Sequence, residues 1–510
     1  VVDFLLLALG SLLPVAALPN ELVTDGWGFL GPLVLVPVFW FTARRSPGAS
    51  ALGGVLWVVL VTFLSQFWLL AFHPLALPLV LVFQVPWYAL AFAVSSFLWR
   101  RFPSSGLWFQ ALWWAVFEFL RVQGFFAFPY GALATTFWSY PLTWQSADLV
   151  GTLGITFLLA WASAWIAAAL SGRGSRRRLG ADLAVGLGLW ALDLGYGIAK
   201  ELEPETGTPW RPALVQQARD PWKGGEGAYE GDLDRLEALS TQALAGRPDA
   251  VVWSETAFVP SVDYHNRYHD NPESLRLVRR LEDFLGASPV PFVLGNEYKE
   301  KTPDGTVRHY NAVLAWDGGW KGRYEKNRLV PFTESFPYKD WLPWVYRMLL
   351  DADTHFWEPG RGRTPLTVAG VAVGTPVCFE DSFPDGARAF AQSGARALVN
   401  LTNDSWAPGV ASRNQHLSLA VFRTVETRLP LVRAGNDGAT AAVSSRGEVL
   451  ARLPVGTPGV LQARVTLGSG SETVYTRLGD LGGWGGLLLL GGACLVPRRR
   501  RAVVDKGEQL

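Results

Sequence analysis

Apolar residues are distributed unevenly along the chain. Up to residue 199 they run in successive blocks broken by short polar or basic stretches; from 200 to 478 they come as short runs between polar segments; from 481 to 496 they are nearly continuous again. A helix that crosses a bilayer needs about 20 apolar residues. Eight segments approach that length: 4–20, 28–43, 51–72, 75–99, 106–126, 147–170, 181–199 and 479–496. The first, second and last are short or interrupted by Gly and Pro, which leaves their ends the least defined. The pattern divides the chain into 1–199, a membrane domain of seven predicted spans; 200–478, a globular domain; and 479–510, one span followed by a basic tail.

Within 200–478 several Val- and Leu-rich runs end abruptly in polar residues: ALVQQ (213–217), AVVWSETA (250–257), PFVLGNEY (291–298), NAVLAW (311–316), VAVGTPVCFED (371–381) and ALVNLTNDSW (397–406). Runs of this length and composition predict buried strands. Helical patterns over 231–246 and 273–286 lie between some of them, and Leu417, Ala420, Val421 and Val425 predict a further helix over 413–428 with one face on a sheet. This alternation is that of a layered α/β domain.

Charge adds an orientation. Arg44 and Arg45 follow the second predicted span, Arg100 and Arg101 the fourth, Arg173 and Arg176 to Arg178 the sixth, and Arg498 to Arg501 the eighth. Basic residues are retained on the cytoplasmic side. The alternation is therefore consistent only with both termini cytoplasmic and the globular domain outside the cytoplasmic membrane. A cleaved signal peptide in place of the first span lacks a basic n-region and a small-residue cleavage site. Composition agrees with a membrane protein, at 49% hydrophobic and 17% charged residues, and the net charge of +1 gives no reason to expect nucleic acid as a partner. No Cys/His cluster has metal-ligand spacing, and neither a P-loop nor a dinucleotide fingerprint follows a predicted strand.

The two cysteines, Cys378 and Cys494, fall in the globular domain and in the last predicted span, and are not expected to pair. Taken alone, Cys378 reads as a small buried hydrophobe. Yet polar candidates gather at other strand ends, where rigid backbone meets solvent: Glu255, Lys326 and Glu334. Each alone also reads as a solvated loop residue or a cap. Together they offer what cysteine acyl transfer requires. Cys378 is the nucleophile, Glu255 the base that takes its proton, and Lys326 a donor to the oxyanion. The N–H of Phe379, the residue after the nucleophile, is a second oxyanion donor, and Glu334 orients Lys326 or holds the second carboxylate position. The histidines His265, His269, His309, His355 and His416 have no evident motif setting and read as structural or surface residues.

WSETA with Glu255, YEKNRLVPFTES with Lys326 and Glu334, and VCFE with Cys378 resemble, in order and context, the Glu, Lys and Cys motifs of the nitrilase or carbon-nitrogen hydrolase superfamily. With its membrane segments, nearly the whole chain resembles the apolipoprotein N-acyltransferases, the bacterial membrane branch of that superfamily. The resemblance implies an α-β-β-α sandwich outside the inner membrane. It also implies Glu255, Lys326 and Cys378 as the catalytic set, supporting roles for Glu334, Glu380 and Asn311, and active-site segments at LTNDSW (401–406) and RAGNDGATA (433–441). Trp222 is a loose match to a family tryptophan near the domain start. Ser254 stands where the family commonly has Pro, and Thr333 where it has Gly; neither removes a reacting group, but Thr333 puts the local loop conformation in question. The implied reaction moves an acyl chain from a phospholipid to Cys378, then from the thioester to the amine of a diacylglyceryl-cysteine apolipoprotein. It requires no cofactor or metal, and nothing calls for more than a monomer. The rival expectation is a membrane-tethered amidase that uses the same three residues with water as acceptor.

Two features bear on a lipid substrate. The segment 337–350, PYKDWLPWVYRMLL, carries Trp341, Leu342, Trp344, Val345, Tyr346, Met348 and Leu349 directly after Glu334. It is expected to form a lid that dips into the membrane interface, the alternative being a buried core helix. In FEFLR, Glu118 and Arg121 lie one helical turn apart and are expected to pair, or else to hold an acceptor or lipid headgroup. The loop 123–146, rich in Phe, Tyr and Trp, is expected to roof the same cavity.

Overall fold

A computed structural model describes residues 1–351, 356–407, 409–470 and 472–497. The predicted apolar segments of the first half are helical. Four helices are long and apolar enough to cross a membrane: Pro47–Ser65, Ala76–Arg101, Ala147–Leu170 and Arg176–Leu202. Shorter apolar helical stretches occupy Val2–Ala17, Gly28–Arg44 and Leu481–Leu495, and Gly106–Arg121 supplies a further helix of 16 residues. The first predicted span is divided at Ser11. The second begins as a 3-10 turn, Gly28–Leu33, before Val36–Arg44, with Pro32 and Pro37 in the interrupted region. Proline removes a backbone donor and clashes with the preceding turn, which accounts for the break.

Basic residues collect at one end of this bundle. Arg100 Nη2 donates to the Arg45 carbonyl at 2.7 Å, and Arg173 Nη1 to the Trp99 carbonyl at 3.2 Å. The basic cluster Arg498 to Arg501 lies outside the described residues. The globular domain docks at the other end, against the segments around residues 19–25, 65–72, 124–152 and 201–203.

The globular domain is built on two six-stranded sheets. One has the order Gly459–Gln462, Pro212–Gln216, Ala250–Val252, Phe292–Lys301, Val307–Trp316, Trp320–Glu325; the other Val449–Arg452, Ala441–Val443, Leu431–Gly435, Ala397–Thr402, Val371–Gly374, Leu366–Val368. Central pairings are parallel, as between Pro212–Gln216 and Ala250–Val252, or Ala397–Thr402 and Leu431–Gly435; outer pairings are antiparallel. All of the predicted strands are present.

Their uninterrupted apolar character follows from burial on both faces. In the first sheet Leu214, Val252, Val293 and Val313 pack in one core with Val373, Val399 and Val432 of the second sheet. Their neighbours Ala213, Val215, Val251 and Leu294 point the other way, onto Leu233, Leu236, Leu277 and Leu281. Those leucines belong to the outer helices Tyr229–Ala245 and Pro272–Ala287. The period of two along a strand thus separates the layer between the sheets from the layer under the helices. Behind the second sheet lie Pro384–Gln392 and Val410–Thr427. The latter is the helix predicted over 413–428, but it is buried on all sides rather than on one face. The membrane half supplies the second covering: Asn414 Nδ2 donates to the Thr24 carbonyl at 2.7 Å, and Gln415 Nε2 to Pro19 and Ser65 carbonyls at 2.8 and 2.9 Å.

Candidate active site

The three sequence-predicted groups converge from the ends of both sheets. Glu255 follows strand Ala250–Val252, Lys326 follows Trp320–Glu325, and Cys378 opens the 3-10 helix Cys378–Ser382 a few residues past Val371–Gly374. Gly295, on the neighbouring strand, makes the first placement possible. A Cβ there would lie 2.3 Å from the Thr256 nitrogen and 2.7 Å from the Glu255 Cα, so only glycine lets that backbone pass.

Lys326 Nζ contacts Glu255 Oε1 at 3.2 Å and Glu334 Oε1 at 2.7 Å, and its side chain is wholly buried. Burial alone would lower its pKa. The carboxylates of Glu255 and Glu334 outweigh that and hold it well above the usual ammonium value. Glu255 is fixed on both oxygens: Asn311 Nδ2 donates to Oε1 at 2.7 Å, and the Asn403 N–H to Oε2 at 2.7 Å. Asn311 also accepts the Lys326 N–H on its carbonyl at 2.8 Å, tying Glu255 and Lys326 to one strand residue. Glu334 is anchored by the Val330 N–H on Oε2 at 2.8 Å. Burial raises its pKa, with Lys326 opposing.

Cys378 is buried and free, as is the half-buried Cys494. Its φ of +49° lies in the left-handed region, unusual for a residue with a Cβ. Such strain costs about 1–3 kcal/mol and persists only where the surroundings enforce it. Two side chains do so: Asn400 Nδ2 donates to the Pro376 and Cys378 carbonyls at 3.1 and 3.2 Å, and Glu380 Oε2 accepts the Val377 N–H at 2.9 Å. The turn leaves the Phe379 N–H in the first turn of its helix, where no intrahelical acceptor exists. Burial, then the charge of Glu255, push the Cys378 thiol pKa well up, with Lys326 opposing.

Glu380 makes wider contacts than its position two residues after Cys378 implied. Its carboxylate accepts from Tyr324 Oη at 2.9 Å and from the N–H groups of Val377, Asn327 and Arg328, each at 2.9 Å. One side chain thus joins the cysteine turn to the loop that carries Lys326. Burial raises its pKa, and the backbone donors oppose.

Below Cys378 lies a group that sequence reasoning missed. His416 has no motif setting in the sequence, and Asp381 lies three residues after Cys378. Both are buried with Asp404 and Arg433 in one network. His416 lies 3.0 Å from Asp381 and 2.9 Å from Asp404; Arg433 lies 3.3 Å from Asp381 and 3.1 Å from Asp404. Burial alone would lower the His416 pKa, but Asp381 and Asp404 raise it to about 9 against the opposition of Arg433. Asp404 is held well below the usual carboxylate range: Arg433 and His416 outweigh its burial. The sequence carried a partial signal, since Asp404 and Arg433 fall in the two segments expected around the site.

Other expected residues are placed as follows. Trp222 is half-buried and meets Trp357 edge-on at 6.0 Å, while the Trp357 N–H donates to the Glu334 carbonyl at 2.8 Å. Trp222 thus lies on the wall behind Glu334. The segment 337–350 is not a buried core helix. It forms the helix Pro343–Asp351, with Trp341 86% and Trp344 63% exposed and Tyr346 stacked on Phe336 and Phe356. The loop 123–146 meets the same region, Phe126 stacking on Phe332 and Tyr338. Thr333, where the family has Gly, is not at a positive φ; the left-handed residue of this loop is its neighbour Phe332, at +66°. Ser254, in place of Pro, is buried with its hydroxyl unpartnered among the described residues. Glu118 and Arg121 do not form an ion pair within 4.0 Å. Glu118 is taken up by Trp114, Thr156 and the Leu133 N–H, while Arg121 donates to the Tyr130 carbonyl at 3.0 Å. His355 lies outside the described residues.

The sequence profile of the carbon-nitrogen hydrolases matches residues 213–475, and that of the apolipoprotein N-acyltransferase N-terminal domain matches 9–165. Apolipoprotein N-acyltransferase 1 of Treponema denticola is 36% identical, over 94% of this chain and 93% of its own. The Geobacter metallireducens apolipoprotein N-acyltransferase is 30% identical, over 94% and 92%. Among solved structures, a mutant of the Nesterenkonia AN1 amidase from the nitrilase superfamily matches 54% of this chain and 95% of its own, at 20% identity and a TM-score of 0.38. On its two profile matches and its end-to-end relatives, the chain belongs to the apolipoprotein N-acyltransferase family.

Proposed function

We propose that Cys378 carries an acyl group from a phospholipid to the N-terminal amine of a diacylglyceryl-cysteine apolipoprotein. Glu255 is the general base and Lys326 and the Phe379 N–H are the oxyanion donors. The protein is an N-acyltransferase of bacterial lipoprotein maturation, as its relatives are named. In the first half-reaction the Cys378 thiol passes its proton to Glu255 as sulfur attacks the ester carbon. The C–O bond breaks, Glu255 returns the proton to the departing glycerol oxygen, and a lysophospholipid leaves. In the second, the amine attacks the thioester carbon, an amide forms, the C–S bond breaks, and the amine proton passes through Glu255 to the thiolate. Developing negative charge on the carbonyl oxygen is met by Lys326, whose charge is secured by Glu255 and Glu334.

The observation that carries this reading is the buried Glu255–Lys326–Glu334 chain beside a backbone-strained cysteine. It belongs to a membrane-embedded setting: eight spans, a boundary near 199 and another near 479, and the catalytic domain outside the inner membrane. Supporting that orientation, the basic residues Arg45, Arg100 and Arg173 gather at the end of the bundle away from the catalytic domain. The exposed tryptophans of 337–350 fit a lid at the lipid interface.

Incubating the purified protein with phospholipid alone tests the reading. Mass spectrometry is expected to find one acyl mass on Cys378, discharged by a diacylglyceryl-cysteine peptide and missing in Cys378→Ser. Absence of the adduct, together with amide hydrolysis by the same protein, would transfer the assignment to an amidase.

A further inference from the structure

Between the loop that follows helix Gly106–Arg121 and the catalytic domain lies a cavity of about 240 Å³. Gly124, Phe125 and Ala127 line its membrane side; Arg328, Phe379 and Phe383 are on the catalytic side. Phe379 is the residue after Cys378 and Arg328 the second after Lys326, so the cavity is lined by chain neighbours of the candidate site, while Cys378 and Lys326 themselves are not in its lining. Among the described residues Arg328 is the single charged group in the lining.

Its guanidinium is under-paired. Nη2 lies 3.5 Å from Asp385 Oδ2, and Nη1 is buried with no acceptor among the described residues. Its face rests on the Phe383 ring at 3.9 Å, which fixes its plane without supplying an acceptor. Asp385 is divided, because Arg363 Nη2 takes the same oxygen at 3.0 Å. Glu380, the other nearby acid, has its oxygens committed to Tyr324 and to backbone N–H groups. Two guanidiniums therefore share one carboxylate beside an apolar cavity. Arginine stays charged when desolvated, and its planar fork matches phosphate oxygens.

We propose that this cavity receives the phosphodiester of the donor phospholipid, with Arg328 as its anion-binding group and Phe125, Phe379 and Phe383 enclosing the adjoining glycerol. The single negative charge of a phosphodiester balances the surplus cation, and the neighbouring ester carbonyl is brought to Cys378. The inference rests on the acyl-transfer reading and adds a division of labour between half-reactions. The acceptor carries no phosphate, so Arg328 acts in acylation and not in transfer to the amine.

The test uses the full-length protein in detergent micelles, with acylation of Cys378 followed by mass spectrometry in single turnovers. Donors are phosphatidylglycerol and, as a phosphate-free ester, diacylglycerol. Arg328→Gln is expected to raise the half-saturating phosphatidylglycerol concentration, relative to that of diacylglycerol, about tenfold or more, the usual scale for a charge-assisted hydrogen bond. Asp385→Asn releases Arg328 from its competitor and is expected to lower the same ratio, a direction that misfolding does not produce. Equal weakening of both donors by Arg328→Gln, or a raised ratio in Asp385→Asn, overturns the proposal. So does inhibition of wild-type acylation by millimolar inorganic phosphate with diacylglycerol as donor, which assigns the site to free phosphate. A wild-type protein that forms no adduct from phospholipid defeats the acyl-transfer reading itself. An adduct with an unchanged ratio in Arg328→Gln defeats this inference alone.

Discussion

At the scale of the residue, the site is a set of charges kept in place by neutral groups and backbone. Asn311 and the Asn403 N–H leave Glu255 little freedom, and Asn400 and Glu380 hold the cysteine turn from both sides. The network under that turn gives a pH dependence of known sign. The folded-state pKa of His416 lies above its ordinary value of 6.5, at about 9. Its contribution to stability is therefore complete below about 6.5 and is lost as pH rises through about 9, with an upper bound of roughly 3 kcal/mol. Thermal unfolding followed by fluorescence between pH 6 and 10 is expected to show a falling midpoint across that window. His416→Gln is expected to flatten the slope; an unchanged slope would show that His416 is not the responsible group. Glu255, Lys326 and Cys378 were legible in the sequence because each sits in a short motif beside a strand end. The Asp381–His416–Arg433 contacts were not, because their members lie on separate elements and only the fold brings them together.

At the scale of the element, strands and amphipathic helices followed from apolar runs and their period, whereas two features depended on tertiary context. The helix Val410–Thr427 carries Arg413, Gln415, His416 and Arg423, a pattern that reads as one exposed face, yet all four are buried against partners from both halves. The segment 337–350 has the opposite character, apolar and yet outward-facing at Trp341 and Trp344. Exposed aromatic residues on a short amphipathic helix are favoured at a lipid–water boundary. Replacing Trp341 and Trp344 together with serine is expected to lower turnover several-fold on donors in bilayer nanodiscs and by less than twofold on micellar donors. Equal loss in both media would argue for a structural role, and no loss in either would remove the lid.

At the scale of the whole molecule, the catalytic domain is clamped to the bundle by buried charge. Arg428, itself at a φ of +55°, contacts Asp148 at 2.7 Å and Gln145 Oε1 at 2.6 Å, and the Glu426 carboxylate accepts the Thr152 N–H at 3.1 Å. Removing one partner of a buried pair leaves the other uncompensated and costs about 3–5 kcal/mol. Because Arg428 keeps a fifth of its side chain exposed, the lower end of that range is the expectation for Arg428→Ala. It is measured as a lower unfolding midpoint and faster proteolysis between the halves, with partial recovery in Arg428→Ala combined with Asp148→Asn. The apolar segments and the strand–helix alternation of a layered α/β domain were readable from composition and period, while the two-sheet sandwich was implied by the family resemblance. The docking geometry was not, since it rests on pairs separated by about 280 residues.

The clasp around helix Val410–Thr427 also sets a timetable for biosynthesis. Glu21, which accepts the Val410 and Ala411 N–H groups, and the Pro19 carbonyl, which accepts from Gln415, precede their partners by 389 to 396 residues. At about 5–20 residues per second of synthesis, the loop between the first two apolar segments precedes its partner by some 20–80 s. The groups on the membrane half that receive helix Val410–Thr427 are therefore all synthesised long before the helix that fills them.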